Sequence, residues 1–150
     1  MNPAIALINA HATPHETIHY PNVRLAFMDN EHCELAILHN KLSQAINAER
    51  LCIISIDGLI EQLLEHLSRH FSHEEEAMKK VDYPYTILHR QQHRRALENI
   101  ALYVGHWKRQ RNIWAFRDFI DGAFAKWFSH HIRNADMAAA LFIDHYKETI

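Results

Sequence analysis

Residues 56–80 read IDGLIEQLLEHLSRHFSHEEEAMKK, and the fold follows from the spacing of their apolar side chains. At about 100° per residue, Ile60, Leu63, Leu64, Leu67, Phe71 and Met78 fall within one stripe, the pattern of a helix with one face turned to a core. His70 and Glu74 lie inside that stripe. Residues four apart stack on one side of a helix, so this pair can chelate an ion without distorting the backbone. Four other fragments carry the same residue types: Asp29-Asn-Glu-His32, His89-Arg-Gln-Gln-His93, Trp127-Phe-Ser-His-His131 and Asp136. In the second of these the two histidines are again four apart.

The remainder of the chain is also written in helical periods. Glycine occurs only at 58, 105 and 122, and β-branched alternation is scarce, so sheets have little support. An irregular arm over residues 1–28, carrying Pro3, Pro14 and Pro21, precedes a bundle domain over 29–150. Asp29 offers an N-cap for a first helix over about 30–48. After the second helix, Asp82 and Pro84 break the chain; proline is tolerated near the start of the third helix, where its missing N–H is not needed. The third helix places His89, His93, Ala96, Leu97, Ile100, Val104 and Trp107 on one face. A fourth, over about 112–133, turns Phe116, Ile120, Ala123, Phe124, Trp127 and His131 inward despite Gly122, and a short last helix over about 136–147 follows a turn at Asn134. The expected fold is all-α: an antiparallel up-and-down four-helix bundle with an irregular N-terminal arm and a short C-terminal helix.

Composition narrows the function. With 150 residues and 48% hydrophobic content the chain suits one domain with a real core. A net charge of −2 gives no field that would recruit nucleic acid or an anionic membrane. The basic run Lys108-Arg109-Gln110-Arg111 reads as a solvated loop. Cys33 and Cys52 are too few for a disulfide framework and have no metal-binding partner at short spacing, which fits a reducing cytoplasm. The opening MNPAIALINAHA has small residues at Ala10 and Ala12 but no basic segment, so no secretory signal is expected, and no apolar stretch approaches a membrane span.

Several imidazoles and carboxylates in an apolar stripe would be costly unpaired, since each buried polar group needs a partner worth a few kcal/mol. A metal pair satisfies them together. The set is imidazole and carboxylate without thiolate, which favours iron, manganese or zinc over copper(I) or an iron–sulfur cluster. A closed tetrahedral zinc site uses four ligands, fewer than this chain offers.

The order and spacing of these motifs resemble the hemerythrin family, non-heme di-iron, dioxygen-binding four-helix bundles, over about residues 23–136. HFSHEEEAM at 70–78 is similar to that family's His-Phe-x-His-Glu-Glu-x-x-Met. It is followed by Tyr83-Pro84, then His-x-x-x-His, then Trp-x-x-x-His-Ile-x-x-x-Asp. Ferritin-type bundles instead use Glu-x-x-His repeats, which no core position here carries. The resemblance implies two iron ions with an oxo or hydroxo bridge, one held by His89, His93 and His131, the other by His32 and His70, with Glu74 and Asp136 bridging. It leaves the two-histidine iron one ligand short, and dioxygen would bind there, drawing one electron reversibly from each ferrous ion. Leu35, Phe71, Trp127, Phe128 and Ile132 stand at positions matching the dry lining such a pocket needs.

The resemblance implies reversible dioxygen binding for storage, delivery to an oxygen-consuming protein partner, or sensing, by a monomer or small homo-oligomer. The competing enzyme reads the same site as a reducer of dioxygen, peroxide or nitric oxide. Fourteen histidines demand a choice among them. His66 and His73 sit about 100° or more from the stripe centre and are expected at the surface or behind the ligands. Helical geometry does not separate His130 from His131; the family spacing selects His131. His11, His15 and His19 are four apart but lie in an arm with no apolar face, and His106 and His145 read as surface residues. His39, seven after His32, shares its inward face where the family usually has an aliphatic residue; it is either a proton-handling group near the site or a histidine bonded to a carbonyl. Leu25 and Phe27 stand where the family usually has a tryptophan, which leaves the docking of the arm open, and Cys33 should point away from the site occupied by His32.

Overall fold

The computed structural model describes residues 17–147, and no strand occurs among them. Three long helices come first: α1 (Ala26–Ile46), α2 (Ile53–Lys80) and α3 (Thr86–Gln110). A fourth helical run, itself unbroken, follows after Arg111 and Asn112: α4 (Ile113–Arg117), a π-helical stretch π1 (Asp118–Phe124), α5 (Ala125–His131), a second π stretch π2 (Ile132–Asp136) and α6 (Met137–Tyr146). His32 and His89, near the starts of α1 and α3, meet His70 and His131, at the far ends of α2 and α5. Neighbouring helices therefore run antiparallel, as an up-and-down bundle requires.

Helix starts and ends depart from the sequence expectation for local reasons. Asp29 is not an N-cap; it lies inside α1 and its carboxylate accepts the Val23 N–H at 2.8 Å, while Leu25 caps the helix without a side-chain bond. Arg24, at φ 62°, turns the chain into that early start. Val23 and Leu25 are buried, so residues just before α1 dock on the core through aliphatic side chains. α2 begins three residues earlier than the pattern suggested, at Ile53, and Asp82 closes its other end in the left-handed region at φ 51°. The expected turn at Asn134 is absent, because π2 carries the chain through it.

The basic run at 108–111 is also not a loop. Lys108 and Arg109 form the last turn of α3, where positive charge opposes the helix dipole, and Arg111 caps it at φ 50°. Its guanidinium lies 5.1 Å from the Trp107 ring centroid and forks onto Asp57 of α2 at 2.7 and 3.0 Å. Asp57 also accepts the buried Trp107 indole N–H at 2.9 Å. Asp57→Ala would strand that indole and should lower stability by about 1–3 kcal/mol, measured by urea unfolding at fixed metal content.

Along the fourth run the inward residues are Phe116, Phe119, Ile120, Phe124 and Phe128, whereas Ala123 is exposed. An ideal wheel had put Ala123 inside and passed over Phe119. In π1 hydrogen bonds span five residues rather than four, so the stretch advances the face by an extra residue and brings Phe119 onto the core. Leu35, Leu42, Ile60, Leu67, Phe71 and Trp107 complete a single core running the length of the bundle.

Candidate metal centre

At one end of that core the apolar packing gives way to a polar cluster that is almost completely buried. His32, His70, Glu74, His89, His93, His131 and Asp136 are each 4% exposed or less. Their donor atoms form two groups, Glu74, His89, His93, His131 and Asp136 in one and His32, His70, Glu74 and Asp136 in the other, each spanning less than 4.8 Å. Both carboxylates belong to both groups. Asp136 divides its oxygens, Oδ1 lying 2.9 Å from His89 Nε2 and 3.1 Å from His131 Nε2, and Oδ2 3.1 Å from His32 Nε2. Glu74 Oε1 lies 3.3 Å from Nε2 of both His70 and His93.

The local backbone explains how each donor arrives. His70 with Glu74, and His89 with His93, are one α-helical turn apart, as their spacing implies. His131 and Asp136 are five apart, which on an α-helix would leave them about 140° out of phase. π2 spans that interval with five-residue turns, and so both reach the same cluster.

Several short N···O approaches lack hydrogen-bond alignment. His32 Nε2 and Nδ1, Nε2 of His70, His89, His93 and His131, and both carboxylate oxygens of Glu74 and Asp136 are buried with no hydrogen-bond partner. So many orphaned donors and acceptors in one place would cost several kcal/mol if nothing satisfied them. Two donors bonded to one ion at about 2.1 Å and at right angles lie about 3.0 Å apart, close to the separations seen here. The residues fit a pair of divalent ions.

Electrostatics point the same way. Burial pushes Glu74 well above the ordinary carboxylate range, and the neighbouring Asp136 charge pushes it further. Burial would raise Asp136 as well, but His131, His32 and His89 outweigh it and hold its carboxyl well below that range. Burial, with His89 and His131 adding, drives the His93 imidazole down to about 2, and His70 is lowered chiefly by burial too. These imidazoles are neutral at physiological pH, the form that ligates metal.

Two carboxylates that the sequence did not single out fix the tautomers. Glu31 accepts Nδ1–H of His70 at 2.9 Å, and Glu75 accepts Nδ1–H of His93 at 2.9 Å. A proton on Nδ1 leaves the Nε2 lone pair aimed inward, an arrangement that raises ligand basicity. Glu31 also binds His73, which is half exposed, and its backbone carbonyl accepts His66 Nε2–H at 2.9 Å. His66 is 4% exposed and stacks on His70, so of the two places expected for it the surface is excluded. The sequence signal for Glu31 is adjacency to His32, whereas Glu75 occupies the second Glu of the His-Phe-x-His-Glu-Glu-x-x-Met pattern without a role having been read for it.

Among the other candidates, Leu35, Phe71, Phe128 and Ile132 are buried, Phe71 stacks on His93 at 3.9 Å, and the half-buried Trp127 stacks on His131 at 4.7 Å. His130 is exposed and bonded to Asn134. His19, His106, His145 and Cys33 are exposed, and His11 and His15 lie outside the described residues, as does the opening segment. No described helix is long and apolar enough to cross a membrane.

Residues 23–140 match the hemerythrin HHE cation binding domain, an interval that contains every residue of the cluster. The chain belongs to the hemerythrin family. Within that family it is 24% identical over 115 residues to a bacteriohemerythrin of Pseudomonas aeruginosa strain PAO1, covering 77% of this chain and 72% of that protein. It is 26% identical over 114 residues to a bacteriohemerythrin of Aquifex aeolicus, covering 76% and 86%. A shorter stretch of 73 residues is 33% identical to a bacteriohemerythrin of Campylobacter jejuni, covering 49% and 54%. No solved structure gives a significant match. Membership in the hemerythrin family accounts for the ordered motifs along four helices, and the resemblance read from the sequence stands.

Proposed function

We propose that this hemerythrin-family chain holds two iron ions, one by His89, His93 and His131 and the other by His32 and His70, with Glu74 and Asp136 shared, and that the centre binds dioxygen reversibly. The observation that carries this is the set of buried, unpartnered donor atoms divided into two groups by two common carboxylates. Bound there, a ferrous pair and its solvent bridge would supply the two electrons that reversible dioxygen binding needs. The chain's own residues supply the rest. Glu31 and Glu75 orient the His70 and His93 rings, and Leu35, Phe71, Trp127, Phe128 and Ile132 keep water from the site, which favours release of unreduced dioxygen over its consumption. On this reading the working domain covers 29–150 behind an arm over 1–28, in a cytoplasmic monomer or small homo-oligomer that stores dioxygen, delivers it to an oxygen-consuming partner or senses it.

The test is anaerobic reconstitution with ferrous iron, metal analysis, and visible spectra before dioxygen, after it and after degassing. We expect two irons per chain and a charge-transfer band that comes with dioxygen and leaves on degassing. A stable diferric spectrum that ignores degassing would refute reversibility, and absence of iron uptake would refute the assignment of the site.

A further inference from the structure

His39 is wholly buried on α1, about two turns beyond His32, and both of its ring nitrogens have partners. Nε2 lies 2.8 Å from the Ile120 carbonyl in π1, and Nδ1 lies 2.7 Å from the Tyr20 hydroxyl. A carbonyl only accepts, so Nε2 carries the proton and Nδ1 presents its lone pair. The Tyr20 O–H must then donate to Nδ1. Of the two alternatives read from the sequence for His39, the structure shows the buried histidine bonded to a carbonyl, with a phenol on its other nitrogen.

Tyr20 also reaches toward the metal cluster through Phe128. Its ring packs on Phe128 at 5.1 Å, and the Phe128 ring lies 6.2 Å from His32, edge to face. One aromatic ring thus stands between the phenol and a candidate ligand. Elsewhere Tyr20 forms part of the wall of a surface cleft of about 660 Å³, with Lys126 and Arg133 on its rim. Burial pushes the phenol well above its ordinary range, so it does not lose its proton to solvent at working pH.

The geometry points to Tyr20 and His39 as a redox-active pair that relays single electrons between the cleft and the metal centre. In the oxidising step, with a peroxide as the oxidant delivered to the centre, the Tyr20 O–H bond breaks, its proton moves to His39 Nδ1, and one electron passes by way of Phe128 to the peroxide-oxidised centre. Tyr20 is left as a neutral phenoxyl radical and His39 as an imidazolium that still donates to Ile120. A one-electron donor arriving in the cleft restores the phenol, and the proton returns from Nδ1. The destination of the electron rests on the proposed iron centre; the pair itself does not. A phenylalanine and a leucine would fill the same volume without burying three polar atoms.

The test has two arms on iron-loaded protein, both read by electron paramagnetic resonance. One arm uses hydrogen peroxide and rapid freezing, the other a flash-activated ruthenium photo-oxidant that needs no electron transfer to iron. Both should give a tyrosyl radical in the parent and none in Tyr20→Phe, which keeps the ring against Phe128. His39→Leu, with metal content unchanged, should slow radical formation about tenfold, the worth of one hydrogen bond to the base. A radical of equal yield in Tyr20→Phe would place it on another tyrosine and overturn the proposal. A radical in the flash arm alone would remove the relay to the centre. Failure of iron uptake appears separately in the metal count and would refute the centre, and with it the electron's destination.

Discussion

Replacing Glu74 with alanine is expected to empty both metal positions, so that a chain binding two ions retains fewer than one after gel filtration. Glu74 is common to both donor groups, and its Oε1 faces a histidine of each. Removing it therefore takes a ligand from two ions at once. Loss of an outer hydrogen-bond partner alone weakens metal affinity about 10–100-fold, and loss of a shared ligand should exceed about 100-fold. Binding to the folded state at about a thousand times Kd contributes about 4 kcal/mol of stability, which the variant should also forfeit. Glu76→Ala is the control, because that carboxylate is 64% exposed on the same helix and pairs with Lys80. Equal uptake by Glu74→Ala and the parent would show that the cluster is not shared in this way.

The second large effect concerns acid and the metal-free protein. His39, His70 and His93 have pKa values lowered first by burial, from an ordinary value of 6.5. Below that pH the unfolded chain takes up protons that the folded chain refuses, so stability falls as pH falls. Glu74 and Glu75 act in the opposite sense. Burial raises both above 4.5, so the folded chain holds the extra protons and gains stability as pH drops toward that value. The three lowered imidazoles outnumber the two raised carboxylates, so acidification from pH 6.5 toward 4.5 is expected to destabilise the metal-free protein. Asp136, held low, adds a further loss only below 3.8. Urea midpoints in chelator at about pH 7 and about pH 5 would measure this. Stability that stays level or rises on acidification would contradict the burial of neutral imidazoles.

Much of this was legible in the residues, and what was not has a physical reason. The stripe from Ile60 to Met78 reads correctly because α2 is a regular helix with one buried face, and the same holds for His89, His93 and Trp107 on α3. His131 and Asp136 came from the ordered motif; helical arithmetic alone would have set them on different faces. The π stretches left no periodic trace, since a change from four-residue to five-residue turns alters only where later side chains point. That is why Ala123 was placed inside and Phe119 was not. Glu31 escaped notice, and Glu75 stood in the quoted motif without a role, because an acid beside a ligand has the same signature as a solvated one. Tyr20 sits in an arm whose docking the sequence left open.

The π2 stretch has a consequence for anyone who would transplant this centre. A designer copying the seven donors at their native spacing onto four straight, ideal α-helices would keep every residue and lose Asp136, because a five-residue separation on a regular α-helix leaves it about 140° from His131. Deleting one residue between His131 and Asp136 would by contrast set the pair four apart, the spacing at which a regular α-helix carries both donors on one face, as in His70 with Glu74. In this bundle a local irregularity is the instruction that joins the fourth helix to the other three, and a scaffold scored for ideality would erase it.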